Sequence, residues 1–493
     1  MIHRPVRTAP IELFRVAVGL LVCAYFARCF GEAGLYSVST GLLDHALSED
    51  FNRFTVQPLF RPWSPAWWPR AVFGLAAALS LVMAVGVRAR VCAAVLYFVA
   101  VCAYRWNFLV LYVDDAVMHL LLFWLIVLPE GRRFTWRALV RGRDPPDPTG
   151  GWAPGTTLRL CLLNVALLYA VAGLTKWTSV MWRDGSAVYA IFRHPIAWSP
   201  GLFNSHHRPL LALFGWASMV VEPLLVLTVF LPKHHRAKYA LLAGALALHL
   251  GIALTLDLVF ANVGCLVLAI LVFHEELADL FDRGTPGPPA SLPVAWTWRE
   301  RVASVAVALL FVAMGGASLQ PQWRQPLAAR GHETVRHITP ETGGAVQSAA
   351  FAGLWCMGLA QQYRLLDWID ERDVHLVTSG VEELHPTGEK RLVSFDAIVP
   401  RTTRGVLLVS YLTGFTWSPL PSRDVRRLRA SLTERMAARY CRDRPSRASV
   451  RAEVVFDRSS APATAPPMRV TLTFRCDGSA ARDARLATFA TPD

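Results

Sequence analysis

LLNVALLYAVAGLTKW, residues 162–177, contains a single charged residue, Lys176, at its far end. Extended back to residue 157, the run reaches the roughly 20 mainly apolar residues that an α-helix needs to cross a bilayer. Eight further segments read the same way: 11–30, 66–87, 90–110 and 113–129 before it, and 209–232, 237–256, 258–273 and 302–319 after it. With 157–175 they make nine. The expected fold is an all-α polytopic membrane bundle of about nine transmembrane helices over residues 1–320, with a small C-terminal α+β soluble domain over 321–493.

Composition agrees. Of the 493 residues 54% are hydrophobic and only 17% are charged, against about a quarter charged in a soluble chain. The mean hydropathy is +0.35. A net charge of +14 would point to nucleic acid in a soluble protein. Here the arginines lie largely in short loops between apolar runs and in the C-terminal part, so membrane topology accounts for them. The expected partner is the lipid bilayer, with no nucleic acid. Six of the nine cysteines (Cys23, Cys29, Cys92, Cys102, Cys161, Cys265) fall inside apolar segments, with no CxxC pair and no zinc-like spacing. They read as small buried residues, and no metal is expected. The opening MIHRPVRTAP leads into an apolar run without a small-residue cleavage site, so 11–30 is read as a retained first span.

Loop charge sets an orientation. Arg4 and Arg7, then Arg88 and Arg90, then Arg132, Arg133, Arg137, Arg141 and Arg143, then Lys233, Arg236 and Lys238 all fall on one side if the spans alternate. The other side holds 31–65, Asp114 with Asp115, 176–208 and Asp257. This places the N-terminus in the cytoplasm and the C-terminal domain outside.

A Pro/Gly linker, GTPGPPASLPVAW (284–296), precedes the last span. Beyond residue 320 the pattern becomes soluble. Residues 450–456 and 468–476 alternate as strands, with Met468, Val470, Leu472, Phe474 and Cys476 on one face. Val425, Leu428, Leu432, Met436 and Tyr440 make a helical stripe, with Ser422 as N-cap. A hairpin is expected around HPTGEK (385–390). Cys441 ends the helix and Cys476 lies on the apolar strand face, so the two can pair outside the cell; Cys356 is a rival partner.

Ionisable residues inside spans are functional candidates. Glu222 lies mid-span in VVEPLLVL, where Pro223 frees a backbone carbonyl; it is either functional or a structural carboxylate paired with an arginine such as Arg15. His249 sits in ALALHLGIAL, as a functional imidazole or a hydrogen-bonded packing residue. Asp115 and His119 are four apart and share a helix face. They suit proton transfer if the carboxylate orients the imidazole, or they are a capping acid and a buried histidine. Lys176 either snorkels to the interface or sits in an apolar pocket, where burial favours the neutral amine that can act as a base. If these groups line one cavity, Lys176→Ala should abolish activity and leave folding nearly intact. Arginine should fail there because it stays protonated.

LFRVAVGLL (13–21), GVRAR (86–90), VDDAVMHLLLFWLIVLP (113–129) and LLYAVAGLTKWTSVMWRDGSAVY (167–189) resemble the HTTM (horizontally transferred transmembrane) family, bacterial relatives of vitamin K-dependent γ-glutamyl carboxylase. The most specific element is Y–x–x–A–G–x–x–K followed by W–x–x–G, here Tyr169, Ala172, Gly173, Lys176, Trp182 and Gly185. The likeness covers about 11–275, and MGLAQQYRLLDWIDERD (357–373) resembles the tail of many members. It implies a bacterial inner-membrane enzyme with carboxylase-like lyase chemistry and a reduced quinone as cofactor. The matching lysine of the vitamin K enzymes deprotonates the reduced quinone, so Lys176 and His249 become the expected catalytic pair. Asp114, Asp115, His119, Glu222, Arg15 and Trp182 are the supporting polar pocket. This chain departs from the vitamin K enzymes near the fourth span, where Asp114 and Asp115 stand in place of a histidine, and its C-terminal domain is smaller. The alternative reading is a non-catalytic membrane partner in maturation of, or immunity to, an exported peptide toxin.

Overall fold

The computed structural model describes residues 4–37, 41–42, 58–107, 110, 112–131, 133–141, 151–193, 196–199, 202–281, 297–319, 349–350, 353–354, 357, 359, 374–385, 387–393, 398–399, 402, 404–405, 422–442, 451–460, 468–478 and 480–490. The 284–296 linker, Cys356 and most of 357–373 lie outside these residues.

All nine apolar segments are helical. They correspond to α1 (Ala9–Gly31), α2 (Trp68–Ala84), α3 (Ala89–Trp106), α4 (Val113–Val127), α6 (Thr156–Thr178), α9 (Arg208–Leu225), α10 (Arg236–Thr255), α11 (Val259–Val272) and α13 (Trp298–Leu319). Short helices α5 (Trp136–Arg141), α7 (Val180–Asp184), α8 (Ala187–Arg193) and α12 (His274–Phe281) fill the connections. Among the described residues, five helices are long and apolar enough to cross a membrane: Ala9–Gly31, Ala89–Trp106, Thr156–Trp177, Ser205–Val229 and Arg236–Thr255. Trp68–Ala84 and Val259–Val272 are apolar but shorter. The length criterion therefore reaches five of the nine expected spans.

Helix α1 packs between α2 and α11, α11 also touches α4 and α10, and α6 lies against α9 and α13. Burial is uneven. In Thr156–Trp177 72% of the apolar window is buried inside the protein, against 17% in Arg236–Thr255. Helix α6 is thus central, while α10 exposes Leu246, Leu250 and Leu254 outward, as a lipid-facing helix does.

The basic connections gather at one end of the bundle. There strand β1 (Val6–Arg7) pairs with β2 (Trp152–Ala153). The Trp136 N–H donates to Val85 O at 2.8 Å, and the Arg90 N–H to Glu130 at 2.9 Å. Lys238 binds Glu276 at 2.9 Å; burial, the largest single influence, would raise the Glu276 carboxyl, but the Lys238 hydrogen bond and charge together with backbone N–H donors hold the group below the ordinary glutamate range.

The C-terminal part sits at the opposite end. Arg404 binds Glu32, just past the end of α1, at 2.9 Å, Arg435 donates to Gly41 O at 3.3 Å, and β3 touches α8. Its antiparallel sheet has the order β4-β3-β5-β6-β7, from β3 (Val374–Leu384), β4 (Lys390–Val393), β5 (Arg451–Ser460), β6 (Met468–Asp477) and β7 (Ala480–Ala490). The hairpin expected around 385–390 joins β3 to β4. Helix α14 (Ser422–Arg442) packs on β6 and β7, burying Leu428, Leu432, Met436 and Tyr440 against Val470, Leu472 and Phe474. Cys441 and Cys476 form the expected disulfide, with Cα atoms 5.4 Å apart, inside the range such a bond requires. Ser422 is the first helical residue rather than the residue before it.

Candidate functional site

Lys176 ends α6 with its amine turned into the bundle. It is 2% exposed, donates to Ala172 O at 3.3 Å and forms an ion pair with Glu222. The ring of Trp182 lies 5.1 Å from Nζ, close enough for cation–π attraction. A lysine that snorkelled would direct the amine to the headgroup layer; this one does not.

Local sequence explains how two helices bring the pair together. A Cβ at Gly173 would stand 2.5 Å from the ring of Pro223, so only glycine lets α6 approach α9 where Glu222 precedes that proline. Pro223 has no N–H, which leaves the carbonyl four residues earlier without its helical donor. That carbonyl, Met219 O, accepts the Trp177 indole N–H at 2.8 Å. Gly185 adopts φ +82° to end α7, and a Cβ there would lie 2.5 Å from that of Ala212. The spacing of Ala172, Gly173, Lys176, Trp182 and Gly185 is thereby accounted for by packing around one buried amine.

Tyr169 lies two turns before Lys176. Its hydroxyl meets His249 Nε2 at 2.9 Å and the thiol of Cys265. Asn262 faces the other ring nitrogen, Oδ1 to Nδ1 at 2.9 Å. The Asn262 amide is oriented by its Nδ2, which donates to Leu258 O at 2.6 Å. Oδ1 can only accept, so Nδ1 carries a proton; when the ring is neutral, Nε2 accepts from Tyr169. His249 is also within electrostatic reach of Glu222 and Lys176. Lys176, Glu222, Trp182, Tyr169, His249 and Asn262 form one buried cluster.

Asp114 supports that cluster from outside it. Its carboxylate accepts the N–H groups of Phe260 at 3.2 Å and Ala261 at 2.8 Å, capping α11 one residue before Asn262. An anion at a helix N-terminus is favourable there.

Three expectations change. Arg15 is no partner of Glu222: it donates to Phe134 O at the basic end, because α1 starts at that end and Arg15 lies two turns along it. Of the two readings of Asp115 and His119, the capping acid and buried histidine holds, and Asp115 does not orient the imidazole. Its carboxylate is taken by Arg404 at 2.6 and 2.9 Å, by the Tyr25 hydroxyl and by the Tyr112 N–H at 3.0 Å. His119 instead faces the rings of Tyr104 and Tyr97, 5.0 and 6.2 Å away. Finally, Lys176→Ala cannot leave folding nearly intact, since it would strand the buried Glu222 carboxylate.

The Asp115 network escaped sequence reasoning. Arg28 binds Asp257 through two 2.6 Å bonds and Glu32 at 3.2 Å, and Arg404 joins Glu32 to Asp115. The resulting chain of alternating charge, Asp257–Arg28–Glu32–Arg404–Asp115, knits the end of α1, the α10–α11 turn, the start of α4 and the C-terminal part. Arg28 and Glu32, four apart at the end of a span, were a legible signal; Arg404 was one arginine among many.

Comparison with family models, with curated proteins and with solved structures finds no match.

Proposed function

We propose that the chain is an integral membrane enzyme with carboxylase-like chemistry, in which Lys176 is the base. The reading rests on the HTTM resemblance. The observation that carries it is the Lys176 amine held inside the bundle against Glu222 rather than at the headgroup layer.

Moving the Nζ proton to the Glu222 carboxylate removes both charges from a low-dielectric surround and leaves a neutral amine. Nζ then accepts a proton from an acidic hydroxyl, with Glu222 as proton store. Trp182 excludes water and offers an aromatic wall. Tyr169 and neutral His249 form a second proton path two turns deeper, with Asn262 fixing the tautomer. This set suits a phenol-like hydroxyl on a lipid-soluble body. A reduced quinone, when bound, would supply that hydroxyl and the oxygen-dependent chemistry the resemblance implies.

The test is quinone oxidation by the full chain in lipid nanodiscs given a reduced naphthoquinone, oxygen, bicarbonate and a glutamate-containing peptide. Wild type should consume the quinone, and Lys176→Arg should not. Equal consumption by both would remove Lys176 as the base, and no consumption by wild type would favour the non-catalytic partner of an exported peptide.

The nine-span topology belongs to the same proposal, with the N-terminus cytoplasmic, the C-terminal domain periplasmic and the bilayer the bacterial inner membrane. The gathering of basic loops at one end and of the C-terminal sheet and its disulfide at the other supports it. Reporter fusions after residues 145 and 330 should report opposite sides of the membrane; the same side for both would sink the nine-span count.

A further inference from the structure

Arg88 stands where the backbone would favour glycine. It closes the turn between α2 and α3 with φ +42°, in the left-handed region that is strained for a residue with a Cβ and free for glycine. Gly86, two residues earlier, takes φ +77° in the same turn. The arginine occupies the position despite that strain, and its side chain is exposed at the basic end of the bundle. Among the described residues its guanidinium has no hydrogen-bond or ion-pair partner.

The bond from the Trp136 N–H to Val85 O sets the first turn of α5 against this turn, which brings Arg137 to the same edge. Arg137 is exposed too, and among the described residues no carboxylate binds it. Glu130 is already held by the Arg90 N–H at 2.9 Å and the Arg90 side chain at 3.6 Å. Trp136 and Val140, four apart on α5, are both exposed, and an exposed indole beside arginines is typical of a membrane interface. From Arg88 an apolar stripe runs along α3. Val91, Val95 and Phe98 share a helix face and are 58%, 44% and 47% exposed. Phe98 lies nine residues beyond Ala89, about 14 Å along the axis at 1.5 Å per residue. That is about half of a hydrocarbon core roughly 30 Å thick, so the stripe has the length of one leaflet.

We propose that the α2–α3 turn and α5 bind one anionic phospholipid. Its phosphodiester lies between Arg88 and Arg137, and an acyl chain follows Val91, Val95 and Phe98. Charge selects the class: two guanidinium groups attract a headgroup of net negative charge and repel the ammonium of an ethanolamine or choline headgroup. The planar donors of arginine can also engage two phosphate oxygens at once. The stripe selects a lipid over a free phosphate ester, because a soluble anion has no chain to lay along it.

The experiment is native mass spectrometry of the full chain, delipidated in detergent and offered phosphatidylglycerol, phosphatidylethanolamine or phosphatidylcholine, with soluble glycerol phosphate as a fourth arm. Wild type should hold its first phosphatidylglycerol about tenfold more tightly than its first zwitterionic lipid. That margin should shrink between about 0.1 M and about 1 M salt, as the Debye length falls. Arg88→Gly should lose most of the margin, and glycine suits the turn, so the variant should fold. Arg137→Gln should lose a similar share. Arg236→Gln removes another exposed arginine at the same end and should leave the margin in place. Equal retention of the three lipids, or a wild-type margin in Arg88→Gly, would overturn the assignment. So would a loss in Arg236→Gln as large as in Arg88→Gly, or glycerol phosphate bound as tightly as phosphatidylglycerol.

Discussion

Lys176→Met is expected to destabilise the protein by about 3–5 kcal/mol, because the Glu222 carboxylate loses its partner in a buried site. Adding Glu222→Gln should restore most of that loss, since neither charge then remains to be compensated. Lys176→Arg should keep the ion pair and much of the stability while removing a group able to become neutral. Unfolding midpoints of the four proteins in bicelles give the coupling energy directly. A Lys176→Met protein as stable as wild type would show that the pair carries no energy. The cycle also separates structure from chemistry: the double variant should fold and still fail to consume quinone. If it consumed quinone normally, Lys176 would be a structural lysine.

Arg404→Leu should have a comparable effect at the other polar site. The guanidinium binds Asp115 through two bonds and also holds Glu32 and Val110 O. It lies 4.8 Å from the Tyr112 ring centre. Leucine would strand Asp115, for which about 3–5 kcal/mol is again expected. Glu32 would keep Arg28, so the second carboxylate adds less. Lysine should recover only part, because a point charge cannot reproduce the planar fork. Arg404→Leu with Asp115→Asn should recover more than lysine does. Limited proteolysis supplies the structural readout: Arg404 joins the C-terminal part to the bundle, so its loss should speed cleavage of the C-terminal part. Unchanged cleavage and an unchanged midpoint would remove Arg404 from any anchoring role.

The capping role of Asp114 shows how far local reasoning reached. An acidic pair at the start of α4 was visible, and so was the need to satisfy it. Nothing near residue 114 in the chain says that one carboxylate turns to the N–H groups of residues 260 and 261 while its neighbour turns to Arg404. Pro223 is the opposite case. The carbonyl it frees follows from covalent structure alone, and the structure merely adds the Trp177 indole that uses it.

Residue order by itself determined the nine helical segments, the segregation of basic loops, the hairpin near residue 387 and the α14 stripe, and it offered Cys441 with Cys476 as a pair beside the rival Cys356. These depend on apolar run length, on periods of 3.6 and 2, and on turn chemistry, all properties of neighbours in the chain. Only the tertiary structure decided which charges meet. Lys176 and Glu222 are 46 residues apart and Arg404 and Asp115 are 289 apart. Such pairings follow from the rotation and height of each helix against the next, which close approaches like Gly173 on Pro223 set. In a low-dielectric interior a shift of one turn would exchange a satisfied charge for an unpaired one, so the packing of small residues, rather than the charges themselves, selects the site.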